Sequence, residues 1–299
     1  MTNVLVVGSV ALDTLETPHG RADNALGGSA THFALSASRF APVRLVGVVG
    51  KDFPAEHIDL LKSQKIDVSG LEIADGKTFR WHGRFVGDMS RAETISVELN
   101  VLATFQPKVP APFVSTPFVL LGNASPEVQK AVLSQLKSPK FVMLDTMNLW
   151  ISTQREALLQ LLPKVDAVCI NFEEALQLAE TTSGAKAVRR ILDLGARTLI
   201  LKRGEHGATL ATREGQFSVP SFPTDRVVDP TGAGDSFAGG TLGYLAQAGS
   251  GADALRRAIV YGSVMGSFAV EEFGTKRIQG VSREEIETRA RAILDMLRV

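Results

Sequence analysis

The chain has 299 residues, 44% of them hydrophobic, and balances 32 Lys and Arg against 32 Asp and Glu. Such a chain can bury a sizeable core, and its neutrality argues against nucleic acid or a membrane surface as a partner held by general electrostatics. The single cysteine, Cys169 in "DAVCIN", excludes an intrachain disulfide and reads as a packed strand residue, in keeping with a cytoplasmic protein.

The N-terminal "MTNVLVVGSVALD" has no basic segment before its apolar run, and Gly8 interrupts that run. It reads as a first strand, not a signal peptide. No stretch approaches the roughly 18 apolar residues of a membrane helix. Further on, "VRLVGVV", "PFVLLGN", "KFVMLDT", "DAVCIN" and "RTLILKRG" are continuous apolar runs of strand length. Runs of this kind suit strands covered on both faces. Helical patterns lie between them at 28–40, 125–136, 153–162 and 185–194. The alternation predicts an α/β fold of three layers, a mostly parallel sheet between two sets of helices. After Asp229 only helices are expected, at 234–248, 253–272 and 282–298.

"TFRWHGRFVGDMSRAETISVEL" breaks the rhythm, because no crossover helix separates its two strand-like runs. Phe79, Trp81 and Phe85 alternate with Arg80, His82 and Arg84, the period-two pattern of a half-exposed hairpin. It reads as a small β lid beside the main sheet, or as an edge extension of that sheet. The whole chain, 1–299, is read as one domain, with the lid drawn from about 13–27 and 76–101.

One stretch carries the chemistry. In "DPTGAGDSFAGG" (229–240) the small residues Gly232, Ala233 and Gly234 precede Asp235 at the start of a helix. Free N–H groups and the helix dipole favour an anion there. Asp235 is then either a cap or a general base beside a bound phosphate. Other motif readings fail. Phe237 replaces the third glycine of a dinucleotide fingerprint, and Ala238 breaks the hydrolase pattern Gly-x-Ser-x-Gly around Ser236. No histidine follows His206 to serve Ser236 as a base. "GLEIADGKT" has five residues between Gly70 and Gly76 where a P-loop has four, and a strand pattern follows it.

The same stretch resembles the C-terminal signature of the ribokinase-like (PfkB) carbohydrate kinases. "ALGGSATHFALSASRF" resembles their N-terminal di-glycine signature, "NFEEA" their N-x-x-E element and "LKRGEHGA" their nucleotide-side glycine turn. Four motifs stand in family order across nearly the whole chain. The resemblance implies that Asp235 is the catalytic base and that Gly232, Ala233 and Gly234 form the anion hole. Asn171 and Glu174 match the element that organises Mg²⁺ through water, which suits a cation that keeps its waters. Lys202, Gly204, Gly207, Thr231 and Gly274 would lie toward ATP. Lys202 could equally be a solvated strand end, and the loop around Gly274 is where some relatives hold a monovalent cation such as K⁺. Asp13 matches the acid that grips acceptor hydroxyls, and Gly27 and Gly28 match the hinge of the lid. His32 stands where many relatives carry Asn. Asp145 and Asn148, in "LDTMNLW", stand where the family often has D-P-N-x-R, without its Pro and Arg.

The implied activity is an ATP-dependent, Mg²⁺-requiring phosphotransferase for a small alcohol. A sugar or sugar-like acceptor is the first reading and a nucleoside the alternative; a non-catalytic ligand-binding regulator would not need Asp235, the anion hole and N-x-x-E together. The aromatic face of the lid meets either a nucleobase or a second subunit, making a homodimer through the lid. In the latter case Arg80, His82 and Arg84 turn to the acceptor, which would carry a carboxylate or phosphate.

Overall fold

The computed structural model describes residues 2–298. Two sheets organise them. Strands β1 (Val4–Val7), β4 (Val43–Gly50), β5 (Ile66–Ala74), β8 (Phe118–Leu121), β9 (Phe141–Leu144), β10 (Ala167–Asn171), β11 (Leu199–Lys202), β12 (Ala208–Ala211) and β13 (Gln216–Val219) form the larger one. Its order is β13-β12-β11-β10-β9-β8-β1-β4-β5. Every pair from β11 to β5 is parallel, while β12 and β13 add antiparallel at one edge.

The continuous apolar runs are covered on both faces. Val4, Val6, Phe118, Leu120, Phe141 and Met143 enter one core cluster, and Leu5, Val7, Val119, Leu121, Val142 and Leu144 enter the other. Helices α1 (Ser29–Ala37), α2 (Ala55–Ser63), α8 (Ala233–Ala248), α9 (Ala252–Ala269), α10 (Lys276–Gln279) and α11 (Arg283–Met296) supply residues to the first cluster or pack beside it. Helices α3 (Pro126–Gln135), α4 (Asn148–Thr153), α5 (Arg155–Leu159), α6 (Phe172–Leu178) and α7 (Gly184–Asp193) cover the second. Cys169 is buried in the first cluster.

Strands β2 (Ala11–Thr17), β3 (Gly20–Gly27), β6 (Phe79–Phe85) and β7 (Ala92–Glu98) form the second sheet, in the order β3-β2-β6-β7. The hairpin expected around residue 85 is therefore the β6–β7 pair, and β6 lies parallel to β2.

Two local expectations change. The helix expected at 153–162 starts earlier and is broken at Gln154, whose φ of −136° and ψ of 35° separate α4 from α5. The C-terminal helices number four, because a short α10 precedes α11. Strands β12 and β13 are too short and mixed for the pattern to announce. Among the described residues no helix is long and apolar enough to cross a membrane.

Candidate active site

Parallel strands deliver their C-terminal ends to one edge of the sheet, where open α/β sheets bind ligands. Here that edge carries Ser9 just past β1, Asp145 past β9, Asn171 ending β10 and Lys202 ending β11. The N-terminus of α8 meets the same edge, for a Cβ on Gly234 would lie 3.1 Å from Lys202 Nζ.

Gly232 is the N-cap of α8, with φ 71° and no side-chain cap. A Cβ there would overlap the ring of His32, so both conformation and space demand glycine. The turn offers fewer donors than the sequence suggests. Ala233 N–H is taken by the Pro230 carbonyl and Ser236 N–H by the Gly232 carbonyl, leaving those of Gly232, Gly234 and Asp235 without a backbone acceptor. Asp235 makes no cap. Burial, with Asp145 adding repulsion, raises its pKa to about 7, against the pull of Lys202.

Asp13 is 3% exposed. Burial raises its pKa to about 7, helped by Asp229 and Asp235 and opposed by the backbone N–H groups of Gly28 and Trp81. Its Oδ1 has no partner. A Cβ on Gly27 would collide with its Oδ2, so the di-glycine exists partly to admit this carboxylate. Gly28 is the N-cap of α1. His32, in the first turn of α1, is 2% exposed with both ring nitrogens unpartnered, and burial lowers its pKa to about 4. Asp13, Asp235 and His32 thus converge on the mouth of α8 with polar atoms unspent.

Lys202 is not a solvated strand end. Its side chain is 14% exposed, and Nζ lies 3.5 Å from both Asp145 oxygens. Burial alone would discharge it, but the surrounding carboxylates, Asp145 first, hold it protonated. Asn171 and Glu174 form a capping box at the start of α6. Glu174 Oε2 accepts from Asn171 N–H at 2.8 Å, and Asn171 Oδ1 accepts from Glu174 N–H at 2.9 Å. Burial raises the Glu174 pKa to about 7 despite Lys202.

Asp229, in the sequence only the first residue of a motif, ties two loops together. Its carboxylate accepts from Thr231 N–H at 3.0 Å and from Gly274 N–H at 2.8 Å. Its place at the head of the motif was the available signal. Gly204 and Gly207 flank a tight turn after β11, both at positive φ. Asn148 is turned aside: its amide donates to Gln177 Oε1 at 2.7 Å, which binds it to α6.

On the small sheet, β2 and β6 pair in parallel with Asp13 opposite Trp81 and Glu16 opposite Arg84. In-register neighbours share a face. Trp81 therefore stands on the face of Asp13, with its ring over Gly83 and its indole N–H donating to Thr94 at 3.2 Å. The basic residues meet carboxylates on the other side. Glu16 takes His82 at 3.0 Å and Arg84 at 2.7 Å, and Asp52 takes Arg80 at 3.1 Å. The basic face expected to meet an acidic acceptor thus already carries its own carboxylate partners.

A three-layer α/β fold with an anion-receptive helix start, flanked by buried acids at the strand ends, defines a phosphotransferase framework. The sequence pattern of the pfkB family carbohydrate kinases matches residues 1–278, and the chain belongs to that family. It is 33% identical to a cytidine kinase of Thermococcus kodakarensis over 253 residues, 82% of this chain and 89% of that one. Its fold matches a fructokinase double mutant of Vibrio cholerae solved with fructose, ADP and potassium ion (TM-score 0.83, 19% identity, 97% of this chain and 98% of that one). It also matches a nucleoside kinase of Burkholderia thailandensis solved with inosine (TM-score 0.81, 21% identity, 98% and 99%). The chain is a kinase of sugar or nucleoside hydroxyls.

Proposed function

We propose that the chain transfers the γ-phosphoryl group of ATP to a hydroxyl of a nucleoside, a pyrimidine nucleoside first. This places the nucleoside ahead of the sugar favoured by the sequence motifs. One observation carries the change, the register that sets Trp81 on the face of Asp13. An indole beside the hydroxyl-gripping acid offers a nucleobase a stacking surface. The likeness to a cytidine kinase supports the same choice.

In this reading the β2-β3-β6-β7 sheet is a lid over the acceptor. Asp13, buried with a free oxygen, holds an acceptor hydroxyl. Asp235 accepts the proton of the attacking hydroxyl as its oxygen bonds to phosphorus and the bond to the ADP oxygen breaks. The N–H groups of Gly234 and Asp235 and the α8 dipole receive the migrating phosphoryl group. Asp229 holds Thr231 and Gly274, the loops expected on the nucleotide side, in fixed relation.

Among the described residues no three acidic, His or Cys side chains are grouped as a metal cage. The capping box uses Glu174 Oε2 and leaves Oε1 for a water. That donor set fits a Mg²⁺ carried by the nucleotide phosphates with its own waters. So bound, the ion would supply neutralisation of phosphate charge.

The test is ADP release with Mg-ATP across nucleosides, sugars, sugar acids and phosphosugars, in K⁺ and in Na⁺. Cytidine or another nucleoside should give the highest kcat/KM. A sugar turned over at least about tenfold better, by about 1.4 kcal/mol in the transition state, would overturn the choice.

A further inference from the structure

The chain leaves the main sheet after β5, runs through β6 and β7 of the small sheet, and then returns to the core. Thr78 marks the exit and Asn100 the return. Thr78 is fully buried, and each of its polar groups is held. Its N–H and its Oγ1 both donate to Asp52 Oδ1 at 2.7 Å. Its Oγ1 also accepts from Gly50 N–H at 3.0 Å, and its carbonyl accepts from the Asn100 amide at 2.9 Å. A Cβ on Gly50 would overlap the backbone of Gly76, Lys77 and Thr78, so the exit is pressed against the end of β4.

Asp52 itself lies in the core, between β4 and α2. Its second oxygen takes Arg80 of β6 at 3.1 Å. Arg80 in turn donates from Nη1 to Asn24 of β3. One carboxylate thus ties the core to both hairpins of the small sheet, to β6–β7 directly and to β2–β3 through Arg80. Burial would raise its pKa, but the donors of Thr78 and Arg80 outweigh burial and hold the carboxyl below its usual range. A two-stranded ribbon is marginally stable alone, and β7 is exposed along its whole length. Besides the pairing with β2, the attachment at Asp52 is what fixes where the β6–β7 ribbon stands.

We infer that Asp52 is a positioning residue for the acceptor: it fixes the root of the lid and, through it, the place of Trp81 opposite Asp13. Arg80 and Trp81 are consecutive on β6, opposite Leu12 and Asp13 of β2. A shift of Arg80 carries the indole with it, and a displacement of about 1 Å is enough to weaken an oriented contact. Asp52 acts through Trp81, not by touching the acceptor. The effect on the acceptor rests on the nucleoside-kinase reading; the anchoring does not.

The experiment compares Asp52→Asn with the wild type. Asparagine keeps the shape, removes the charge and turns an NH₂ group toward a donor that the carboxylate now serves. In the unliganded protein, amides of β6 and β7 should exchange hydrogen at least about tenfold faster in the variant, while those of β8 and β9 keep their wild-type rates. Equal exchange in β6 and β7, or the same acceleration in β8 and β9, would overturn the anchor. With Mg-ATP, the KM for cytidine should rise at least about fivefold and that for ATP stay near the wild-type value. Asp52→Asn/Trp81→Ala should show the cytidine KM of Trp81→Ala alone, because both changes act on one contact. Effects that multiply, or equal rises in both KM values, would overturn the positioning role. Thr78→Val, which lacks the hydroxyl, should follow Asp52→Asn, and Thr78→Ser, which keeps it, should follow the wild type. If Asp52→Asn does not fold, Arg80→Gln removes the ion pair alone and should still raise the cytidine KM at least about twofold. A wild type that phosphorylates a sugar and no nucleoside would overturn the nucleoside reading, while exchange in β6 and β7 still decides the anchor.

Discussion

His32 and Gly232 occupy adjoining volumes so closely that the imidazole fills the space of a Cβ at position 232. The contact joins the first turn of α1 to the N-cap of α8, and so fixes where the anion-receptive turn sits. Gly232→Ala would impose a Cβ at φ 71° and force the ring aside. We expect a loss of about 1–3 kcal/mol in stability from strain and overpacking. Turnover should fall by a larger factor than this loss alone implies, because the donors of Gly234 and Asp235 move with the turn. Thermal melts and kcat on the same preparation check both; an alanine variant of wild-type rate would show that the turn does not set the geometry.

Asp235→Asn keeps the shape of the carboxyl and removes its basicity. We expect kcat to fall at least about 100-fold, with Mg-ATP affinity little changed. The same change removes a buried acid repelled by Asp145, so the variant should melt no lower than the wild type. Near-normal turnover would return Asp235 to a structural role.

The acids of the site make stability depend on pH with a definite sign. Folded, Asp13, Glu174 and Asp235 keep their protons up to about pH 7. Unfolded, they release them near pH 4. The folded chain therefore binds more protons in that window, and stability falls as pH rises through it. His32 acts oppositely, since burial holds it neutral down to about 4, but it stops contributing above about pH 6.5. The nucleotide-free protein should melt at a higher temperature at pH 6 than at pH 8. Activity should run the other way, with kcat/KM rising toward pH 7 as Asp235 deprotonates. A melting temperature that rises from pH 6 to pH 8 would contradict the assignment of these buried acids.

The parallel sheet was legible in the sequence because strands such as Val4–Val7 and Phe141–Leu144 are apolar at every position, and only burial on both faces permits that. The clustering at 229–240 was legible because small residues before an acid at a helix start have few other uses. What escaped was set by contacts between distant segments. Nothing local says that Lys202 would meet Asp145, that Asp229 would reach Gly274, or that Ala233 N–H would be spent on Pro230. Alternation on β6 correctly separated Trp81 from Arg80 and His82. It could not say which face Asp13 would share, since that depends on the parallel pairing of β2 with β6.

Glu174→Gln isolates the metal role, because glutamine also serves as the third residue of a capping box. The α6 start should survive and the melting temperature change little. The Mg²⁺ concentration for half-maximal rate should rise severalfold. Superimposable Mg²⁺ curves would leave Glu174 as a helix cap only.

Trp81 decides between the two readings of the lid's aromatic residues. In the proposed reading its partner Asp13 grips the acceptor, and the basic residues opposite already have Glu16 and Asp52 as partners. Stacking on a base is worth about 1–3 kcal/mol by alanine substitution, so Trp81→Ala should raise the nucleoside KM by about 5- to 150-fold. The KM for ATP should stay near its wild-type value, because Trp81 belongs to the acceptor side. A nucleoside carries a base for the indole to stack on and a free sugar does not, so any sugar turnover should change much less. The competing use of the aromatic residues is a subunit contact. Ile95 and Val97 of β7 are 41% and 51% exposed and offer apolar area for one without Trp81. Sedimentation at low concentration should therefore give the same association state for Trp81→Ala and wild type. Weakened association with an unchanged nucleoside KM would assign the indole to a second subunit and return the sugar to first place among acceptors.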